Sequence, residues 1–206
     1  MYKIMGLPLL ANKKQSPDKH QKIIEAAISV FAGKGFFNST VADVAREADV
    51  ADGTIYLYFK NKDDLLISIF EYSMDLFIQA AEAALKSAVG PKEKLKEFIS
   101  LHLKLVQKYP DLAQVIQIEL RQSTKFMKEY PNEKFFQYLD IVSGIIQEGQ
   151  ASGVFKKNLD PIILKRVIFG AVDEIALEWT LMKRKRYTME EAAGQVCRMI
   201  FEGING

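Results

Sequence analysis

The chain of 206 residues is 49% hydrophobic and sets 28 basic against 26 acidic side chains, a formal net charge of +2. A buried core in one or two domains is within reach, while so small a net charge removes the simplest electrostatic argument for a nucleic-acid partner. The single Cys197 excludes an internal disulfide framework and no apolar run is long enough to cross a bilayer, so the expectation is a cytoplasmic protein with no membrane partner.

The opening stretch MYKIMGLPLLANKKQ holds an apolar patch shorter than a signal h-region and is expected to be a disordered arm. Through Ile24 the chain carries Lys3, Lys13, Lys14, Lys19 and Lys22 against Asp18 alone, a basic lead into the first helix. SPDKHQKIIEAAISVFAGKGF then offers Ser16 as an N-cap, Pro17 at the first helical position, apolar Ile24, Ile28 and Phe31, and a stop near Gly35. STVADVAREA places Thr40 three residues before Asp43, a short capping box opening a helix too small to stand alone.

Across the tight turn EADVADG a second short helix begins in GTIYLYF, and two short helices about such a turn suggest a helix-turn-helix. Helical spacing turns Ile55 and Phe59 inward, sets Thr54, Leu57 and Tyr58 on the other side, and leaves Tyr56 at the margin. Tyrosines give flat apolar bodies with hydroxyl tips, Gly53 lets a backbone approach, and Lys62 adds a cation, a combination that fits a helix reading DNA. Tyr58 is equally compatible with a core position. Asp52 fits an N-cap, or a carboxylate accepting from cytosine N4.

FFNSTVADVAREADVADGTIYLYFKNKDDLL resembles the N-terminal helix-turn-helix of the TetR family of bacterial repressors, including its Gly-Thr-x-Tyr-x-Tyr-Phe-x-x-Lys pattern. The resemblance implies that Thr40, Thr54, Tyr56, Leu57, Tyr58 and Lys62 lie against double-stranded DNA, mostly on phosphate. The chain departs from the family in having Asp49 where glycine is common in the turn. Asp tolerates left-handed backbone better than most residues, so the turn is expected to survive.

After Lys62 the composition shifts to long amphipathic helices, giving an all-α molecule of about nine helices. Residues 1–63 are expected to form the DNA-binding domain and 64–206 a domain for ligand binding and dimerisation. Phe98, Leu101, Leu105, Tyr109, Ile116, Leu120, Phe135, Tyr138 and Leu139 suit either a plain core or the wall of a cavity, with Arg121, Glu119, Gln122 and His102 as polar candidates near it. Arg121 is the cation chosen for a ligand, and His102 is expected to be exposed or satisfied. Near the end, Phe169, Gly170, Ile175 and Trp179, then Val196 and Ile200, mix small residues with large anchors and are read as a twofold homodimer seam.

Two distant histidines, one cysteine, no glycine-rich phosphate loop and no metal-ligand spacing assemble no catalytic set, so neither an enzyme nor a bound cofactor or metal is expected. VADGTIYLYFKNKDDLLISIF together with IELRQS and IFGAVDE is similar to the FadR-type fatty-acid-degradation repressors within the TetR family. That resemblance implies a long-chain acyl-CoA as the inducer, with the run Lys183 to Arg186 available to its phosphates. An efflux-pump repressor sensing apolar or cationic drugs is the alternative, because an aromatic pocket suits either ligand.

Overall fold

The computed structural model describes residues 19–204, so the expected arm with Ser16 and Pro17 lies outside the described residues. Among these the chain is all-helical: α1 (Lys19–Lys34), α2 (Val41–Glu47), α3 (Asp52–Ile55), α4 (Lys62–Leu85), α5 (Gly90–Lys108), α6 (Pro110–Gln114), α7 (Thr124–Glu129), α8 (Glu133–Ala151), α9 (Pro161–Leu181) and α10 (Met189–Ile204). A π-helical turn (Val115–Glu119) and a 3-10 turn (Leu120–Gln122) follow α6. The stretch from Pro110 to Gln122 is therefore three helical pieces in place of one continuous helix. Ten α-helices stand among the described residues where about nine were expected, and one of the short ones, α7, opens on Ser123, whose Oγ accepts from the Phe126 N–H at 3.2 Å.

The head is built as the short-helix pattern requires. Gly35, at φ +79°, ends α1 with its N–H on the Phe31 carbonyl at 2.9 Å. The capping box at Thr40 and Asp43 forms with both of its hydrogen bonds. Asp49 takes the left-handed conformation, φ +53°, that the turn demands. Inside, Phe31, Val44, Ile55, Phe59 and Leu66 are buried. The first helix also packs against α4, α6 and the π turn, tying the head to the rest.

In the remainder, α4 runs unbroken across the boundary expected at 63/64 and packs with α5 and α8. The last helix lies along α5 and sinks its single apolar stripe there. This corrects two of the expected interface residues: Val196 and Ile200, 3% and 8% exposed, belong to the molecule's own core. Ile175 and Trp179 are half-buried against the same core, and Lys185 lies 3.9 Å over the Trp179 ring. Apolar surface is left open on α9, where Ile163 and Val167 are 62% and 58% exposed and align with exposed Gly170 and Glu174, and on α10 at Met199, 63% exposed.

Candidate DNA-reading head and ligand cavity

The reading helix α3 continues past Ile55 as a turn, with Leu57 N–H on the Thr54 carbonyl at 3.2 Å and Tyr58 N–H on that of Ile55 at 3.0 Å. Ile55 and Phe59 are buried, whereas Tyr56, Leu57 and Tyr58 are 58%, 80% and 40% exposed. Thr54 is half-buried. Tyr58 straddles the two readings given to it, its ring edge-on to His20 at 5.9 Å while His20 stacks on Phe59 at 5.0 Å. A Cβ on Gly53 would meet nothing within 4 Å, so the backbone there is open to approach. Asp52 is corrected from cap to first helical residue; Ala51 holds the cap position and makes no side-chain hydrogen bond.

Two residues expected at DNA have work inside the protein. The Thr40 hydroxyl donates to Asp43 Oδ2 at 2.9 Å and accepts from the Asp43 N–H at 3.1 Å. Lys34 and Arg46 also reach that carboxylate, and the hydrogen bond from Lys34, followed by those from Thr40, holds it well below the usual carboxylate range. Lys62, expected to supply only a charge, donates through Nζ to the carbonyls of Phe36 at 2.7 Å and Ser39 at 2.8 Å and lies 4.4 Å from the Phe36 ring centroid. Its ammonium thus fastens the α1–α2 turn to α4 with one proton to spare. On the other side of Phe36, the backbone N–H donates to Glu119 Oε2 at 2.7 Å.

Glu119 ends the π turn whose Ile116 and Gln117 face a cavity of about 560 Å³ between α4, α5, α6, α7, α8 and α9. Leu105, Tyr109, Ile116, Leu120, Arg121, Phe135 and Tyr138 line it. Phe98, Leu101 and Leu139 are corrected: Phe98 and Leu139 are buried in the core outside the lining, and Leu101 packs half-buried against it. Phe169 is corrected too, since it lines the cavity, its ring 4.9 Å from Phe135 and 6.1 Å from His102.

Exposed members of the lining, Arg121, Met127, Phe136 and Arg166, mark the rim. Arg121 is already engaged, with NH2 on Asp173 Oδ2 at 2.5 Å and on Gln117 Oε1 at 2.9 Å, while Gln117 donates to Asp173 Oδ1 at 2.9 Å. The guanidinium of Arg166 sits 5.6 Å from each of the Phe135 and Phe136 rings and has no carboxylate partner among the described residues. The run Lys183 to Arg186 is exposed beyond the end of α9, and none of it lines the cavity. Within the wall, His102 is buried rather than exposed; its Nδ1 lies 2.7 Å from the Tyr138 hydroxyl. Burial pushes the imidazole down to about 4, opposed by Asp173, and pushes the Tyr138 hydroxyl well above its ordinary value.

Residues 23–69 match the model for bacterial regulatory proteins of the tetR family, and residues 70–203 match that for the C-terminal region of YsiA-like protein. The chain belongs to the TetR family. This TetR-family chain is 41% identical over 192 residues to the fatty acid metabolism regulator protein of Bacillus subtilis (strain 168), covering 93% of the chain and 98% of that protein. It superimposes on the fatty acid degradation regulator FadR from Bacillus halodurans with a TM-score of 0.84 at 37% identity, over 93% of this chain and 98% of that one. Against the crystal structure of FadR from Bacillus subtilis in complex with stearoyl-CoA the TM-score is 0.83 at 41% identity, over 90% of this chain and 100% of that one.

Sequence reasoning missed Arg166, Asp173 and the α4 wall. An arginine inside the apolar run PIILKRVIFG is a signal that was available. Phe70, Met74 and Phe77 recur at helical spacing on α4 and line the cavity, but the same stripe would serve a solid core. Among the described residues no helix is long and apolar enough to cross a membrane, and no cluster could hold a metal ion.

Proposed function

We propose that this chain is a homodimeric transcriptional repressor of fatty-acid metabolism genes, released from a pseudo-palindromic operator when a long-chain acyl-CoA fills its cavity. The observation that carries the reading is the apolar cavity of about 560 Å³ with Arg166, which has no carboxylate partner among the described residues, at its rim. A hydrocarbon tail gains about 0.8 kcal/mol per buried methylene, so the aromatic interior supplies most of the affinity. The CoA phosphates then suit Arg166, a planar cation not already spent on a carboxylate. The similarity to a fatty acid metabolism regulator and to FadR bound to stearoyl-CoA supports the same ligand class.

On DNA, the exposed Gly53, Tyr56, Leu57 and Tyr58, with Asp52, Thr54, Thr40 and the remaining proton of Lys62, form the contact surface. Two heads about 34 Å apart match one turn of duplex, and the exposed face of α9 at Ile163, Val167 and Gly170 is where the partner copy seats. The π turn carries Ile116 and Gln117 at the cavity and Glu119 at the head. A ligand displacing that turn acts directly on the Phe36 peptide. A tenfold loss of operator affinity requires the ligand to favour the released conformation by about 1.4 kcal/mol. Native mass spectrometry of protein purified from cells should show a retained long-chain acyl-CoA; a retained hydrophobic cation in its place contradicts the reading.

A further inference from the structure

A wall meant only for hydrocarbon has no use for polar groups, yet His102 lines the cavity at 4% exposure with Nε2 unpartnered among the described residues. Its other nitrogen, Nδ1, is the partner of the Tyr138 hydroxyl at 2.7 Å. Imidazole nitrogen is a better acceptor than a phenol oxygen, so Tyr138 donates to Nδ1 and the ring proton resides on Nε2. The buried imidazole is neutral near pH 7, because burial pushes it down to about 4. What remains on the ring is one neutral donor, whose lack of a partner a ligand acceptor would repair; the other unpartnered polar group of the lining among the described residues is the Tyr109 hydroxyl.

Its position says which part of a ligand would meet it. From the rim inward, the Arg166 guanidinium is 5.6 Å from the Phe135 ring, Phe135 is 4.9 Å from Phe169, and Phe169 is 6.1 Å from His102. Beyond His102 the same helix offers Leu105 and Val106 to an apolar tail. The donor therefore stands where tail gives way to the polar portion reaching toward Arg166. Asp173, whose charge acts on both His102 and Tyr138, disfavours a second carboxylate there and favours an uncharged acceptor.

We infer that His102 Nε2–H is the hydrogen-bond donor for the thioester carbonyl of the bound acyl-CoA and sets the preference for a thioester over a ligand lacking that oxygen. This rests on the acyl-CoA reading above. The deciding comparison is isothermal titration of the protein with palmitoyl-CoA and with S-hexadecyl-CoA, the thioether that keeps tail and CoA but has no carbonyl. The wild-type protein should bind the thioester about tenfold more tightly, which is the scale of one buried hydrogen bond. His102→Leu should bind the two equally, and His102→Gln, which keeps an N–H donor, should recover part of the preference. Equal wild-type affinities, or a preference surviving in His102→Leu, overturn the assignment and leave the acyl-CoA reading intact. Failure of the wild-type protein to bind either compound overturns both. Should His102→Leu fail to fold, the wild-type pair and His102→Gln still decide, since a Gln variant without preference alongside an indifferent wild type refutes the contact.

Discussion

The backbone N–H of Phe36, in the DNA-reading head, donates to the Glu119 carboxyl of the ligand-binding half at 2.7 Å, across 83 positions of sequence. The Phe36 carbonyl meanwhile accepts from Lys62 Nζ at 2.7 Å, so one residue of the α1–α2 turn is gripped from two sides. Because Glu119 closes a π-helical turn whose Ile116 and Gln117 wall the cavity, this peptide bonds the head directly to the cavity wall. Such turns concentrate at functional sites because an extra residue in the helix is an unfavourable packing kept for a reason.

Glu119→Ala should leave the Phe36 N–H buried without its partner and lower stability by about 1–3 kcal/mol. Affinity for palmitoyl-CoA should hold, while the palmitoyl-CoA concentration needed to release operator DNA rises. Superimposable release curves for variant and wild type would place the coupling elsewhere.

Tyr56 and Lys62 separate a contact role from a structural one. Tyr56→Phe removes an exposed hydroxyl, so operator affinity should drop by about 1 kcal/mol with the thermal unfolding midpoint unchanged. Lys62→Ala removes two buried-side hydrogen bonds and a cation–π contact, and its midpoint should fall along with DNA binding. If instead that midpoint holds and the salt slope of DNA binding shrinks by about one, Lys62 serves phosphate alone.

His102 should impose a pH dependence on stability. The folded imidazole is held down at about 4 by burial, against roughly 6.5 in the unfolded chain, so on acidification the unfolded state takes up the proton first. The contribution is therefore complete above pH ~6.5 and is lost as the pH falls through about 4, a total of roughly 3 kcal/mol. Urea midpoints measured from pH 7 to pH 4 should decline more steeply for wild type than for His102→Gln. Parallel declines would mean that the imidazole is not buried as described.

Val167→Glu and Val196→Glu should fail differently. The first adds a charge to the exposed face of α9 and should yield helical monomers by sedimentation; the second adds one to the buried face of α10, 3% exposed at that residue, and should unfold the chain. A Val167→Glu protein that remains dimeric would move the seam to another surface.

The head was legible because each of its features is local: the Thr40–Asp43 capping box, the left-handed Asp49 and the inward Ile55 and Phe59 all follow from spacing within a few residues. What escaped is set by packing between distant elements. Nothing near Lys62 announces that its ammonium reaches back to Phe36 and Ser39, and nothing in α10 says whether its apolar stripe meets α5 or a second copy. Likewise Phe98 and Phe135 have similar surroundings in sequence, yet only Phe135 faces the cavity, a distinction made by how α5 and α8 are rotated against their neighbours. The π turn is invisible to a helical period because IQIELRQS carries the same apolar repeat either way.

An acyl-CoA, and not a generic hydrophobe, is expected to empty the operator. The most direct measurement is fluorescence anisotropy of a labelled operator fragment, selected from genomic DNA by the protein itself, titrated with palmitoyl-CoA, with palmitate, with free CoA and with hydrophobic cations. Release at micromolar palmitoyl-CoA, with palmitate and CoA ineffective alone or together, is the predicted result. Release by hydrophobic cations with none by palmitoyl-CoA would contradict the account and leave a drug-sensing repressor in its place.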